Sequence, residues 1–98
     1  MTKPRLHRLA ELEIREAVAY YELQRAGLGE AFLVAIRERF EFLMHHPESC
    51  PLLDYGIRRG ALRAFPYSIF YRLDGERIFV LAVAHQSREP HYWVRRNR

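Results

Sequence analysis

The sequence predicts an α+β fold of order β-α-α-β-β-β, in which a helical hairpin packs on one face of a small, mainly antiparallel sheet. Two stretches of the first half carry apolar residues at helical spacing, with a glycine break between them. The second half alternates side chains as strands do, in runs that end at turn residues. With 98 residues, of which 49% are apolar, we expect a single domain, residues 1–98, with one modest core.

The N-terminal half predicts a short strand followed by two helices. Residues 3–7 form a strand that is held weakly, because Pro4 has no N–H to donate. One helix begins at about residue 9, and the second follows the break at Gly27 and ends before Pro47. The charged residues of the first helix lie mostly opposite its apolar stripe, and they are Glu11, Glu13, Arg15, Glu16 and Glu22. The two stripes are Ala10, Ile14, Ala17, Val18 and Tyr21, and then Phe32, Leu33, Ile36, Phe40, Leu43 and Met44.

The C-terminal half predicts three strands, at residues 57–64, 67–73 and 77–85. Asp74-Gly75 between the last two is a strong signal for a hairpin turn. Pro66 marks the turn or bulge between the first two, and residues 45–56 form a loop because they contain two prolines and a glycine. After His85 the chain becomes polar and ends as a basic tail or a short helix.

The middle and last strands carry apolar side chains on both faces. In RAFPYSIFYRL (residues 63–73) one face is assigned to the helices, and it holds Phe65, Tyr67, Ile69, Tyr71 and Leu73. The other face holds Ser68, Phe70 and Arg72. The last strand, RIFVLAVAH, is apolar on both faces, and one helical layer covers only one of them. A partner protein is the economical explanation for the second face, and the alternatives are a homodimer or a folded-back C-terminal segment.

The charge is distributed unevenly along the chain. Residues 1–49 carry seven Lys/Arg and eight Asp/Glu, whereas residues 50–98 carry nine and four, so the net charge of +4 arises in the second half. Fifteen of the sixteen basic residues are arginine, which suits paired contacts with carboxylates and phosphates but also keeps a small protein soluble. No apolar run is long enough for a membrane span. A single cysteine, Cys50, excludes an internal disulfide and fits the reducing cytoplasm, where we expect the protein.

Three segments carry a family resemblance: AVAYYE, GLGEAFL and LRAFPYSIFYRLDGERIFVLAVAHQSREPHYW. They resemble the RelE/ParE superfamily of bacterial toxins, over nearly the whole chain. The resemblance implies the toxin of a type II toxin–antitoxin, or plasmid-stabilisation, module, which inhibits growth unless a cognate antitoxin neutralises it. Antitoxins of this superfamily wrap a segment around the toxin and fold as they bind. On this basis Ser68, Phe70 and Arg72 are predicted to contact the antitoxin.

The two branches of the superfamily differ in their target. ParE-like members act on DNA gyrase and have no nuclease site, whereas RelE-like members cut messenger RNA in the ribosome. RelE-like toxins place an arginine directly after the tyrosine of the middle strand and two lysines on the preceding strand. In this chain the arginine position is Ser68, and the lysines map near Arg59 and on Ala61. The loss of cations favours the ParE-like branch, so enzymatic activity is not expected.

A metal-independent endoribonuclease is the alternative, and its candidate residues are Arg63, His85, Arg88 and Tyr92. Cleavage of RNA by its own 2′-hydroxyl needs a base, cations around the phosphate, and an acid for the leaving oxygen. His85 could act as the base, and Arg63 or Arg88 as the phosphate clamp. The structural alternatives are that His85 simply ends a strand at the surface and that Tyr92 anchors the C-terminus. A third hypothesis is an inert relative that only binds an antitoxin.

No cofactor or metal ion is expected. The chain has no glycine-rich loop that would cradle a phosphate. HHPESC offers His45, His46 and Cys50, but consecutive histidines point apart and no fourth ligand is near.

Overall fold

The computed structural model describes residues 3–88 and 92–97. The main elements in chain order are β1 (Arg5–Leu6), α1 (Arg8–Gln24), α2 (Leu28–His45), β2 (Arg58–Ala61), β3 (Tyr67–Asp74) and β4 (Arg77–His85). Short 3₁₀ helices cover Asp54–Gly56 and Tyr92–Arg96. The predicted α+β class and the order β-α-α-β-β-β are confirmed, and the C-terminus forms the short helix that was one of the two expectations.

The four strands form one mixed sheet of order β1-β4-β3-β2. β1 runs parallel to β4, and the other neighbours are antiparallel. The turn between β3 and β4 contains Gly75 at φ 63°, a left-handed backbone that glycine adopts without steric cost. β4 has the predicted bounds, whereas β1 is shorter than predicted. β2 is also shorter, because the chain turns after Ala61 and the Leu62 N–H bonds back to Tyr67 O at 2.9 Å.

The helical hairpin covers one face of the sheet and forms the first core. Gly29 allows the close approach of the two helices, since a Cβ there would lie 2.7 Å from Val18 O. The Tyr71 hydroxyl donates to Pro47 O at 2.8 Å and so joins β3 to the end of α2. The predicted helix-facing side of β3 is confirmed. Buried members of this core include Ala10, Ile14, Phe32, Ile36, Leu43, Phe65, Ile69, Tyr71, Val80 and Val83.

The opposite face of the sheet is covered by the chain itself. Trp93 of the C-terminal 3₁₀ helix stacks on Phe70, with ring centroids 3.7 Å apart and planes 18° apart. The second core contains these two rings together with Ile57, Phe79, Leu81, Ala82 and Ala84. The preferred explanation, a partner protein, is therefore not what covers this face in the free chain, and the folded-back C-terminal segment is the alternative that the structure adopts.

β4 is buried on both faces between its exposed ends, and a β-bulge determines which side chains face each core. Phe70 pairs with Ala82 and the next residue of β3 pairs with Val80, so Leu81 has no opposite residue. Leu81 and Ala82 therefore both face the second core, while Val80 and Val83 face the first. Each core thus takes side chains from the same central strand. Neither helix, over residues 3–88 and 92–97, is long and apolar enough to cross a membrane.

Candidate functional site

Glu13 of α1 fastens the C-terminal segment to the rest of the molecule. Its carboxylate accepts hydrogen bonds from the Tyr92 hydroxyl at 2.7 Å and from both terminal nitrogens of Arg96 at 2.8 and 3.2 Å. The side chains of Glu13 and Arg96 are only 12% and 11% exposed. The helical pattern placed Glu13 among charges mostly opposite the apolar stripe, and no local pattern indicated these partners, because they lie about eighty residues away in sequence. We call Glu13, Tyr92 and Arg96 the Glu13 cluster.

The Glu13 cluster also forms hydrogen bonds with backbone groups on the edge of β4 that β1 leaves unpaired. β1 is only two residues long, and its last residue, Leu6, pairs with Val80 of β4. Beyond that point Arg96 donates to Leu81 O at 3.0 Å, and the Val83 N–H donates to Glu13 at 3.0 Å. A charged pair therefore satisfies backbone groups that a longer first strand would otherwise pair.

Tyr92 is committed to this cluster rather than available to a substrate. Burial and its hydrogen bond to Glu13 raise the pKa of the Tyr92 phenol well above its usual value, so the phenol stays neutral. The Arg88 guanidinium lies over the Tyr92 ring, 4.1 Å from its centroid, and 4.0 Å from the Glu13 carboxylate. The structural alternative for Tyr92, an anchor of the C-terminus, matches these contacts.

A basic cleft of about 230 Å³ opens beside the Glu13 cluster, where the ends of β2, β3 and β4 meet. Its lining contains two arginines, one histidine and no acidic residue. The lining residues are Leu53, Arg59, Ser68, Phe70, Ala84, His85, Gln86, Arg88 and Trp93. We refer to this feature as the basic cleft.

Arg59 places its guanidinium next to Ser68, the position at which RelE-like toxins carry an arginine. The Nε of Arg59 donates to the Ser68 hydroxyl at 3.2 Å. In the antiparallel register Arg59 lies opposite Phe70 and Ala61 lies opposite Ser68, so Arg59 reaches Ser68 diagonally across the two strands. Sequence reasoning noted Arg59 but did not include it among the candidate residues. The register of β2 against β3 was the missing signal.

His85 ends β4 at the mouth of the basic cleft and is exposed. Its Nδ1 accepts the backbone N–H of Ser87 at 3.0 Å, and the Ser87 hydroxyl lies 2.7 Å from the same nitrogen. A backbone N–H can only donate, so Nδ1 is unprotonated and the neutral ring carries its proton on Nε2. In this state Nε2 is a hydrogen-bond donor toward a ligand and not a base.

The four candidate nuclease residues are not assembled in one place. His85 and Arg88 line the basic cleft, but Arg63 lines a separate depression with Arg39 and Phe42 of α2. Tyr92 is held by Glu13. Within residues 3–88 and 92–97, no group of three or more His, Cys, Asp or Glu side chains is placed to hold a metal ion.

A solved structure has a similar fold. A structure titled "Chromosomal ParDE TA system from P. aeruginosa" matches with a TM-score of 0.64 and 20% sequence identity, covering 87% of this chain and 96% of that chain. This likeness concerns the fold. The family model described as the ParE toxin of the type II toxin-antitoxin system, parDE, matches residues 5–90. The chain belongs to the ParE toxin family. Comparison with curated protein sequences gives no significant match.

In this ParE-family chain the residues predicted to contact an antitoxin lie beneath the C-terminal segment. Ser68 and Phe70 are 1% and 5% exposed, and Trp93 covers the Phe70 ring. Arg72 donates to Asp74 at 3.0 Å and to Asn97 at 2.7 Å. The expectation that this face is open in the free chain was therefore wrong. Contact between these residues and an antitoxin stays a prediction, and it requires that the C-terminal segment move.

Proposed function

We propose that this ParE-family chain is a growth-inhibiting toxin of the cytoplasm, that a cognate antitoxin neutralises it, and that its target is DNA gyrase. The family match over residues 5–90 supports the toxin assignment. The structural relative is titled as a two-component ParDE system, which supports an antitoxin partner for this chain.

The separation of the candidate nuclease residues supports gyrase over RNA cleavage. Acid–base catalysis requires groups within hydrogen-bond reach of one reacting phosphate. Arg63 lines a different depression from His85 and Arg88, and the Tyr92 phenol already donates to Glu13. A toxin that acts by binding its target needs no such assembly, so this arrangement fits the non-catalytic branch.

RNA cleavage in the ribosome is the second candidate, and one observation favours it. Arg59, His85 and Arg88 line the same cleft, so two cations and an imidazole are close together. This set differs from the one that the sequence suggested. It lacks an evident general base, because Nδ1 of His85 is occupied and Nε2 carries the proton.

Brief induction of the toxin alone, without its antitoxin, tests these proposals. We expect growth arrest with accumulated gyrase–DNA breaks and intact transcripts. His85→Ala should keep this toxicity, because His85 is not needed for a non-catalytic function. Transcripts cut at ribosome positions, together with loss of cutting in His85→Ala, would instead support the endonuclease.

The control for this experiment is co-expression of the antitoxin, which a small neighbouring reading frame is expected to encode. Rescue of growth by that protein supports the two-component module. Normal growth on induction of a folded protein would contradict both the gyrase and the RNA-cleavage hypotheses. It would then favour the hypothesis of an inert relative that only binds an antitoxin.

A further inference from the structure

We propose that Tyr55 is the anchor residue with which this chain binds its protein target, and that its ring inserts into an apolar pocket of that target. The inference rests on the proposed function for the identity of the target, DNA gyrase, and adds the surface that contacts it. We call this surface, formed by Leu52, Asp54, Tyr55, Val94 and Arg95, the Tyr55 surface. It shares no residue with the lining of the basic cleft.

The Tyr55 ring does not stabilise the fold of its own chain. It is 72% exposed and belongs to neither of the two cores. Its backbone lies at a φ of 62°, where a residue with a Cβ is strained. Asparagine or glycine would suit the fold better at this position, so contacts within the chain do not account for a tyrosine here. A conformational cost that the fold does not require is typical of functional positions.

The backbone that carries this ring is held in place before a partner binds. The Tyr55 carbonyl accepts a hydrogen bond from the side-chain amide of Asn97 at 3.0 Å, and the Asn97 side chain accepts one from Arg72 at 2.7 Å. On either side of the turn, Leu53 and Ile57 pack in the second core. A surface that is already ordered loses less conformational entropy on binding, which favours affinity.

The side chains around Tyr55 have the composition of the centre of a protein interface. Leu52, which precedes the turn, is 59% exposed. Beside the ring lies a depression of about 400 Å³, lined by Tyr55 itself and by Asp54, Val94 and Arg95. Tyrosine and arginine are enriched among the residues that dominate binding energy, and their neighbours exclude water around them. The Tyr55 surface therefore combines an aromatic anchor with aliphatic neighbours and a polar rim.

The charges of the Tyr55 surface favour a protein partner over a nucleic acid. Asp54 and Arg95 border the same depression, and within residues 3–88 and 92–97 neither side chain takes part in an ion pair. A protein can present an acid to Arg95 and a base to Asp54, so both charges find complementary groups. A nucleic-acid backbone carries only negative charge, which Asp54 would repel. The occupant that matches this surface is therefore a protein with an apolar pocket flanked by charges of both signs.

The test measures binding of the purified full chain to purified DNA gyrase holoenzyme by surface plasmon resonance. Tyr55→Asn is the decisive variant, and it should weaken gyrase binding about tenfold or more, since truncation of an aromatic anchor removes a large share of the binding energy. When induced alone in cells, the same variant should inhibit growth less than the wild type. Asparagine tolerates a positive φ, so unfolding would not explain these losses.

Two control variants separate the role of this ring from general effects. Tyr20→Gln removes an exposed tyrosine from α1 and should change gyrase affinity less than about twofold, as expected for a residue outside the interface. Tyr55→Phe keeps the aromatic ring and should bind gyrase within about threefold of the wild type. Urea denaturation verifies that every variant is folded. Tyr55→Gly replaces Tyr55→Asn if the latter does not fold, since glycine adopts a positive φ without strain.

Unchanged gyrase binding by Tyr55→Asn, or equal losses in Tyr55→Asn and Tyr20→Gln, would overturn the inference. A DNA oligonucleotide is titrated in parallel. Loss of DNA binding in Tyr55→Asn with gyrase binding intact would identify a nucleic acid as the occupant and would also overturn it. Absence of gyrase binding by the wild type would contradict the proposed function itself, and the inference with it. The failure of the inference alone is therefore distinguishable from the failure of the proposed function.

Discussion

Tyr55 has a backbone conformation that tyrosine rarely adopts, at φ 62° and ψ 24°. It lies at the tip of a tight turn in which the Leu53 N–H donates to Ile57 O at 2.6 Å, and the following Gly56 also has a positive φ of 73°. Turns with two such residues favour Asn, Asp or Gly at the first of them. The Tyr55 side chain is 72% exposed, so burial of its ring offsets little of this conformational cost.

Tyr55→Asn is therefore expected to raise the free energy of unfolding by about 0.5–1 kcal/mol, because asparagine tolerates the left-handed region better. Urea denaturation followed by circular dichroism measures the change. Tyr55→Phe is the control and should leave stability unchanged, since it keeps the same Cβ and ring. A Tyr55→Asn variant less stable than the wild type would mean that ring contacts outweigh the backbone cost.

At the scale of elements, the C-terminal 3₁₀ helix behaves as a third layer fixed at two points. Trp93 stacks on Phe70 in the second core, and Tyr92 and Arg96 bind Glu13 of α1. The apolar contact supplies buried area, while the charged contact defines where the segment attaches. Removing one partner of the Glu13–Arg96 ion pair would leave the other charge unpaired and poorly solvated, which lowers the stability of the fold.

Glu13→Gln should lower the free energy of unfolding by about 2–3 kcal/mol, because Arg96 loses its counter-ion in a partly buried site. In urea the emission of Trp93 should shift to longer wavelength before the helical circular dichroism signal is lost, as the segment detaches first. Glu16→Gln, on an exposed position of the same helix, serves as the control and should change stability by less than about 0.5 kcal/mol. Coincident transitions in Glu13→Gln would show that the C-terminal segment does not separate independently.

At the scale of the whole molecule, one buried and one half-buried phenol on opposite sides of the sheet link folding to alkaline pH. Tyr71 lies in the first core and Tyr92 against the second. Desolvation is the main cause that raises the pKa of both phenols, and for Tyr92 the hydrogen bond to Glu13 adds to the effect. The protonated forms are thus favoured by folding, so their contribution to stability is complete below pH 10 and is lost as the pH rises above it.

The free energy of unfolding should consequently fall above about pH 10, by about 1.4 kcal/mol per pH unit for each phenol that ionises only on unfolding. Tyr92→Phe removes one of these phenols, so its stability should decline less steeply. Urea denaturation between about pH 8 and about pH 11.5 measures the slopes. The Tyr71→Phe variant gives the same test for the other face. Identical slopes in wild type and both variants would contradict the assignment.

The sequence-based predictions were accurate where neighbouring residues determine the structure, and less accurate where it depends on residues far apart in sequence. Apolar periodicity reports local geometry, so both helices and β4 were predicted closely. β2 ended early because the turn after Ala61 depends on a backbone bond to Tyr67. The covering of the second face depends on contacts between Glu13 and Arg96, which no local pattern encodes. The Arg59–Ser68 contact likewise requires the strand register, which the sequence did not specify.

The position of β4 in the sheet has a consequence for the order in which the chain can fold during synthesis. β4 lies between β1 and β3, and both cores take side chains from it. The ribosome makes the chain from the N-terminus, so α1 and α2 emerge before the strand against which they pack. Neither apolar layer can close until β4 has emerged, and the second also awaits Trp93. We therefore expect the helical hairpin of the nascent chain to stay accessible to chaperones and proteases until β4 has emerged.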